Sequence, residues 1–302
     1  METVYLDNQI FIDFFDDRAL KVSLDKIGDY QLVYSPAHCE EILVYKNSGA
    51  SDEEINKRIN LLSSLTKNVQ ICISSKFKHE VKIENVRNCY DRCERFESSN
   101  RIPEDTQREI VETGFAYRTE HENITTDFFK RDPIADILSE NSVKREMKYR
   151  FIELLSLNLA LQALLKQGII KHPLNEQDIT MVYQSSSIFR DAKLDNMADY
   201  LFENINDFYR EYPFNDTVYS TMLDIIHRTL IRNAYKLDSI DKSRSTLHDS
   251  SHIEYGSYCN YFVTRDEKLF FRTKAIYEFL GIPTEVIYTK KDCNWFERFI
   301  DN

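Results

Sequence analysis

Residues 248–287 read HDSSHIEYGSYCNYFVTRDEKLFFRTKAIYEFLGIPTEVI. Within this stretch YFVT (261–264) is a short run of aromatic and β-branched residues, the composition of a strand. EKLFFRTKAIYEFLG follows, with apolar residues at helical spacing and Gly281 at the position that ends a helix. TEVIY (284–288) is again strand-like. The preceding HDSSHIEYGSYCN reads as a helix. A strand, a crossover helix and a second strand make a parallel β-α-β unit, because a helical connection of this length returns the chain to the same end of the sheet.

The N-terminal third repeats the pattern. TVYL (3–6) is a β-type run ending at Asp7, and IFIDFF behind it can open a helix. YQLVY (30–34) is stopped by Ser35-Pro36, which start the helix AHCEEILVYKN with proline in the first turn. Ser51 followed by Glu54 is a capping-box signature for EEINKRINLLSSLT, and VQICIS (69–74) predicts a further strand. From about 104 to 235 the character changes and nearly all apolar residues recur at helical spacing. MKYRFIELLSLNLALQALLKQGIIKHP predicts a long helix closed by Gly168 and Pro173. MADYLFENINDFYREYP predicts an amphipathic one, and NDTVYSTMLDIIHRTLIRNAYKL one capped at Asn215 or Asp216. Residues 236–246 read as a loop. The expectation is an α/β core with a central parallel sheet, built from residues 1–90 and 241–302, and a large, mostly helical insertion over 91–240.

Composition narrows the function. The chain has 302 residues, 42% hydrophobic, with only six glycines. No glycine run can cradle a phosphate, so P-loop, dinucleotide-fingerprint and kinase chemistries are disfavoured. The net charge of −11 argues against a general nucleic-acid packaging role. It suits a site for divalent cations. Cysteines 39, 72, 89, 93, 259 and 293 form no metal or disulfide framework and read as reduced thiols. The start, METVYLDNQIFIDFF, lacks a basic leader region. The most apolar window, Phe151 to Leu165, is too short to span a bilayer and holds Glu153, Asn158 and Gln162. A cytoplasmic protein without a membrane partner is expected.

In parallel sheets with helical connections, sites form at the carboxyl ends of strands. Asp7 directly follows one predicted strand and Asp266 follows another by one residue. Glu41 lies on the helix after YQLVY, and Asp249 opens the helix before YFVT. Gathered carboxylates repel one another unless a cation lies among them. Mg²⁺ or Mn²⁺, hard ions with oxygen ligands, would resolve that repulsion and serve phosphodiester hydrolysis.

The stretch from Asp249 to Thr264-Arg265-Asp266 resembles the closing segment of PIN-like ribonuclease domains. VYLDNQIF is similar to the family's first strand, which places its first metal-binding acid on Asp7. VYSPAHCEEI resembles the element carrying the second acid, here Glu41. The resemblance implies a metal-dependent endoribonuclease in which Asp7, Glu41, Asp249 and Asp266 hold Mg²⁺ or Mn²⁺. In this reading Thr264 orients a ligand or water through its hydroxyl. It also implies an RNA substrate, with DNA as the alternative, and similar small nucleases often act as toxins or in phage defence. Asn8-Gln9 and Asn260 depart from the family's pattern.

The same residues carry rival readings. HDSSH mimics the zincin HExxH, with Asp249 where the base would stand, and His248-Asp249 resembles a phosphohydrolase dyad. Neither has its further ligands, so His248 and His252 are expected to flank the site without ligating. Arg228, Arg232, Arg265 and Lys268 are candidates to hold an RNA backbone, against the plainer reading of solvated, internally paired helix faces. The alternative function is an inactive PIN-like interaction module with the helical block as its binding surface. A second copy or a regulatory protein is a compatible partner.

Overall fold

The computed structural model describes residues 1–15, 30–73, 79–97, 112, 138, 140–171, 174–211, 216–237, 245–290 and 299. The chain divides into two compact units. One comprises Met1–Glu97, Ser251–Lys274 and Pro283–Asn302, the other Ser98–Ser250 and Ala275–Ile282. The second unit thus takes the end of one C-terminal helix as well as the middle of the chain, and its main boundary falls ten residues after the expected 240.

The first unit is α/β. Its strands are β1 (Glu2–Leu6), β2 (Tyr30–Val33), β3 (Val69–Ile73), β4 (His79–Ile83), β5 (Tyr261–Thr264) and β6 (Glu285–Tyr288). Four of them form a parallel sheet in the order β2-β1-β5-β6. β3 and β4 form an antiparallel pair. That pair is tied to the end of β2, where the Tyr34 amide donates to the Val69 carbonyl at 3.0 Å and the Ile71 amide donates to Tyr34 at 2.7 Å. The central strands are continuous apolar runs because both faces are covered: Val4, Tyr5 and Leu6 of β1 and Phe262, Val263 and Thr264 of β5 are all buried.

The helices α1 (Asn8–Phe15), α2 (Pro36–Asn47), α3 (Asp52–Thr66) and α4 (Val86–Glu97) surround this core. The predicted capping box on α3 is present: the Glu54 amide donates to Ser51 Oγ at 3.3 Å, and Glu54 Oε2 accepts the Ser51 amide at 2.9 Å. Ile55, Ile59 and Leu62 line its buried face at three- and four-residue spacing. Among the described cysteines, 39, 72, 89, 93 and 259 are free and buried, while Cys293 lies outside the described residues.

The second unit is helical where described. α5 (Asn141–Lys166) packs against α6 (Glu176–Phe189), α7 (Ala192–Glu203) and α8 (Asp216–Arg232). Two polar bridges join α5 to α8, from Gln162 to Thr217 at 3.0 Å and from Asn158 to Thr221 at 3.3 Å. They account for Asn158 and Gln162 in the most apolar window of the chain, where each half-buried amide meets a hydroxyl, while Glu153 is exposed. Among the described residues no helix is long and apolar enough to cross a membrane. The expected helix over MADYLFENINDFYREYP breaks at Asn204 into a 3₁₀ turn, Ile205–Asp207, and a single helical turn, Phe208–Glu211. Pro173, Asn215 and most of 104–137 lie outside the described residues.

The last two helices are α9 (Ser245–Gly256) and α10 (Glu267–Leu280). α10 ends at Gly281 with φ +69°, where a Cβ would stand 2.9 Å from the Asn206 carbonyl oxygen. Both the left-handed backbone and the close approach require glycine.

Candidate functional site

The chain runs from β1 to β2 and β3 on one side of the sheet, then returns to β5 and β6 on the other. The switch point is therefore between β1 and β5, where open α/β sheets bind ligands at the carboxyl ends of strands. Asp7 stands there, 4% exposed. Its amide donates to the Val263 carbonyl at 2.9 Å, continuing the ladder past the end of β1. Its Oδ2 accepts the Thr264 hydroxyl at 2.8 Å. Thr264 Oγ1 in turn accepts the Asp266 amide at 3.0 Å. Asp266 Oδ1 takes the amides of Lys268 and Leu269 at 2.7 and 2.9 Å, which makes Asp266 the N-cap of α10.

Glu41 lies one turn into α2 with its side chain 22% exposed. Burial pushes the Asp7 carboxyl up to about 6. His252 opposes this and the negative charge of Glu41 adds to it, with smaller contributions from the Thr264 hydroxyl (lowering) and Asp266 (raising). Glu41 and Asp266 thus both act electrostatically on Asp7, as neighbouring acids do.

Two histidines join this site. His38 is fully buried. Its Nδ1 accepts the Ser35 amide at 3.0 Å, so Nε2 carries the proton and donates to the Leu6 carbonyl at 2.7 Å. This clamps the start of α2 onto the end of β1, immediately before Asp7. Burial, with His252 close by, drives its pKa down to about 3, so the ring is neutral. His252 on α9 is 1% exposed. Its Nδ1 is 2.8 Å from the Tyr5 hydroxyl, and its Nε2 is 3.4 Å from Glu41 Oε1. The Tyr5 hydroxyl also lies 2.7 Å from Ser35 Oγ. The rings of His38 and His252 meet edge to face at 5.1 Å.

His252 is expected from the sequence only as a flanking residue, and His38 carries no prediction at all. A spacing signal existed for both. His38 precedes Glu41 by three positions, and His252 follows Asp249 by three, each pair sharing one helix face.

Of the other predicted residues, Arg265 and Arg228 are ion-paired and Asp249, Lys268 and Arg232 are half-buried. Asp249 is half-buried on α9 and belongs to the second unit. Arg265, expected to hold substrate, is ion-paired with Asp13 of α1. Arg228 is ion-paired with Asp224 one turn earlier on α8, with its terminal nitrogen 2.8 Å from Oδ2. This follows the internally paired reading of the basic residues. Lys268 and Arg232 are half-buried.

The donor set of Asp7, Glu41 and Asp266 is all oxygen, which suits a hard divalent cation. Among the described residues no three His, Cys, Asp or Glu side chains converge as a ready-made metal cage. Mg²⁺ does not need one, since it is commonly held by one or two carboxylates and completes its sphere with water and substrate phosphate. On that measure the residues fit the ion. Comparison with protein-family models, curated proteins and solved structures found no match.

Proposed function

We propose that the chain is a metal-dependent phosphodiesterase acting on RNA, with a PIN-like core in the first unit and the helical second unit inserted into it. The observation that carries the reading is Asp7: a carboxylate buried at the switch point of a parallel sheet, bound to Thr264 and pushed up by its burial and, less, by Glu41 and Asp266. A carboxylate in a solvated turn would show none of these features. Burying mutually repelling acids costs stability, and a site that binds cations explains why they are there.

Asp7 would hold the ion together with Glu41 or Asp266. When bound, a divalent cation supplies Lewis-acid polarisation of a phosphodiester and activation of water. The chain's own residues position this chemistry. Thr264 fixes the rotamer of Asp7, the Asp266 backbone amide fixes Thr264, and the amides of α10 fix Asp266. The choice of RNA, and a role as toxin or defence effector, rests on the sequence resemblance alone.

The test is cleavage of a total-RNA pool with Mn²⁺, comparing wild type with Asp7→Asn. Cleavage by wild type and a loss of at least 100-fold in the variant is the expected result. Equal cleavage by both would reject Asp7 as part of the site. A second reading, an inactive interaction module, is favoured by one feature: Asp266 Oδ1 is already engaged by two backbone amides. It predicts neither cleavage nor Asp7-dependent Mn²⁺ binding.

A further inference from the structure

Glu41 sits on a helix surface, 22% exposed, on a side chain with three rotatable bonds. Left alone it would sample several rotamers. One of its oxygens faces a buried hydrogen-bonded series instead. Ser35 Oγ is 2.7 Å from the Tyr5 hydroxyl, that hydroxyl is 2.8 Å from His252 Nδ1, and His252 Nε2 is 3.4 Å from Glu41 Oε1. Ser35, Tyr5 and His252 are each 1% exposed or less.

One set of proton positions satisfies the series. Ser35 Oγ also lies 3.3 Å from His38 Nδ1, but that nitrogen already takes the Ser35 amide at 3.0 Å, so the Ser35 hydroxyl donates to the closer Tyr5 oxygen. The Tyr5 O–H then donates to Nδ1 of His252, which leaves the proton on Nε2, the nitrogen 3.4 Å from Glu41 Oε1. Each donor polarises the next, so the last N–H is a stronger donor than an isolated imidazole.

We propose that Ser35, Tyr5 and His252 form a relay that holds the Glu41 carboxylate in place for cation binding. His252 is thereby a positioning residue rather than a ligand. The proposal rests on the metal-site reading above. Outer-sphere partners of this kind set ligand orientation, and their loss typically lowers metal affinity 10–100-fold. The series also explains why a tyrosine stands on the buried part of β1: its ring fills the core and its hydroxyl links α2 to α9.

The test is calorimetric titration with Mn²⁺ alone of wild type, Tyr5→Phe, His252→Asn and His252→Gln, with Tyr34→Phe as control. The control hydroxyl donates to the Glu84 carbonyl at 2.7 Å, away from the series. Tyr5→Phe removes one oxygen and keeps the ring, so it preserves packing. Tyr5→Phe is expected to weaken Mn²⁺ binding about tenfold and His252→Asn by 10–100-fold. His252→Gln, whose longer amide can reach Glu41, should recover part of the loss, and Tyr34→Phe should bind as wild type. A purely structural role would move melting temperatures but not this pattern. Asp7-dependent Mn²⁺ binding that Tyr5→Phe and His252→Asn leave unchanged would overturn the relay and leave the metal site standing. No Mn²⁺ binding by folded wild type would overturn both.

Discussion

Asp7 and His38 are adjacent in the fold and pull stability in opposite directions with pH. The carboxyl of Asp7 is raised from 3.8 to about 6 in the folded protein. Between those values the folded state holds a proton that the unfolded state has released. Stability therefore falls as pH rises through this window and stays reduced above it, by up to about 3 kcal/mol. His38 is lowered from 6.5 to about 3, so there the unfolded state binds the extra proton. Its contribution is complete above the unfolded value and is lost as pH falls toward 3. Asp7→Asn keeps an acceptor for Thr264 and removes the buried charge. It is expected to stabilise the protein at pH 7 by roughly 1–3 kcal/mol. It should also steepen the loss of stability below pH 6, where the His38 slope is no longer opposed. Urea denaturation from pH 4 to 8 checks both, and a destabilised Asp7→Asn at pH 7 would contradict them. Asp7 and Thr264 were legible in the sequence because a strand end announces itself locally. His252 was legible only as a flanking residue and His38 not at all: spacing marks the helix face each shares with an acid, while burial between a strand and two helices, which defines them, is not written along the chain.

At the scale of elements, legibility followed the apolar pattern. β1, α2, α3, β5, α10 and β6 each carry a buried stripe or run and were read from the sequence to within a few residues. β4 and α6 were not. Val81 and Ile83 of β4 alternate with charged residues over only five positions and are exposed, and Val182 is the one buried residue described for α6, so neither element carries a buried stripe. The break at Asn204 was invisible for the reverse reason. Leu201, Phe202, Ile205 and Phe208 are all buried, so the apolar pattern runs straight across it. Two substitutions test the account here. Ser51→Ala removes the cap of α3 and should cost about 1 kcal/mol in thermal or urea melts. Gly281→Ala forces a Cβ to 2.9 Å from a backbone carbonyl at φ +69° and should cost more, on the order of 1–3 kcal/mol. A neutral Gly281→Ala would show that α10 can end in another way.

For the whole molecule, the division into two units and the net charge of −11 frame what the site must do. An acidic protein binds a polyanion only where cations, its own or bound ones, offset its charge. Arg265 and Arg228 are already paired with Asp13 and Asp224, so they contribute less to such a field than their number suggests. A divalent ion at Asp7 would supply the missing positive charge, and RNA binding should then depend on that ion. Filter binding to a non-cleaved RNA analogue should weaken at least tenfold when Mn²⁺ is chelated, and unchanged affinity would point to a metal-independent surface. The central claim is that Asp7 belongs to a cation site, and the most direct measurement is thermal unfolding with and without Mn²⁺. The account predicts a dose-dependent rise in melting temperature for wild type, and none for Asp7→Asn despite its higher starting value. Equal shifts in the two proteins, or none in either, would contradict it.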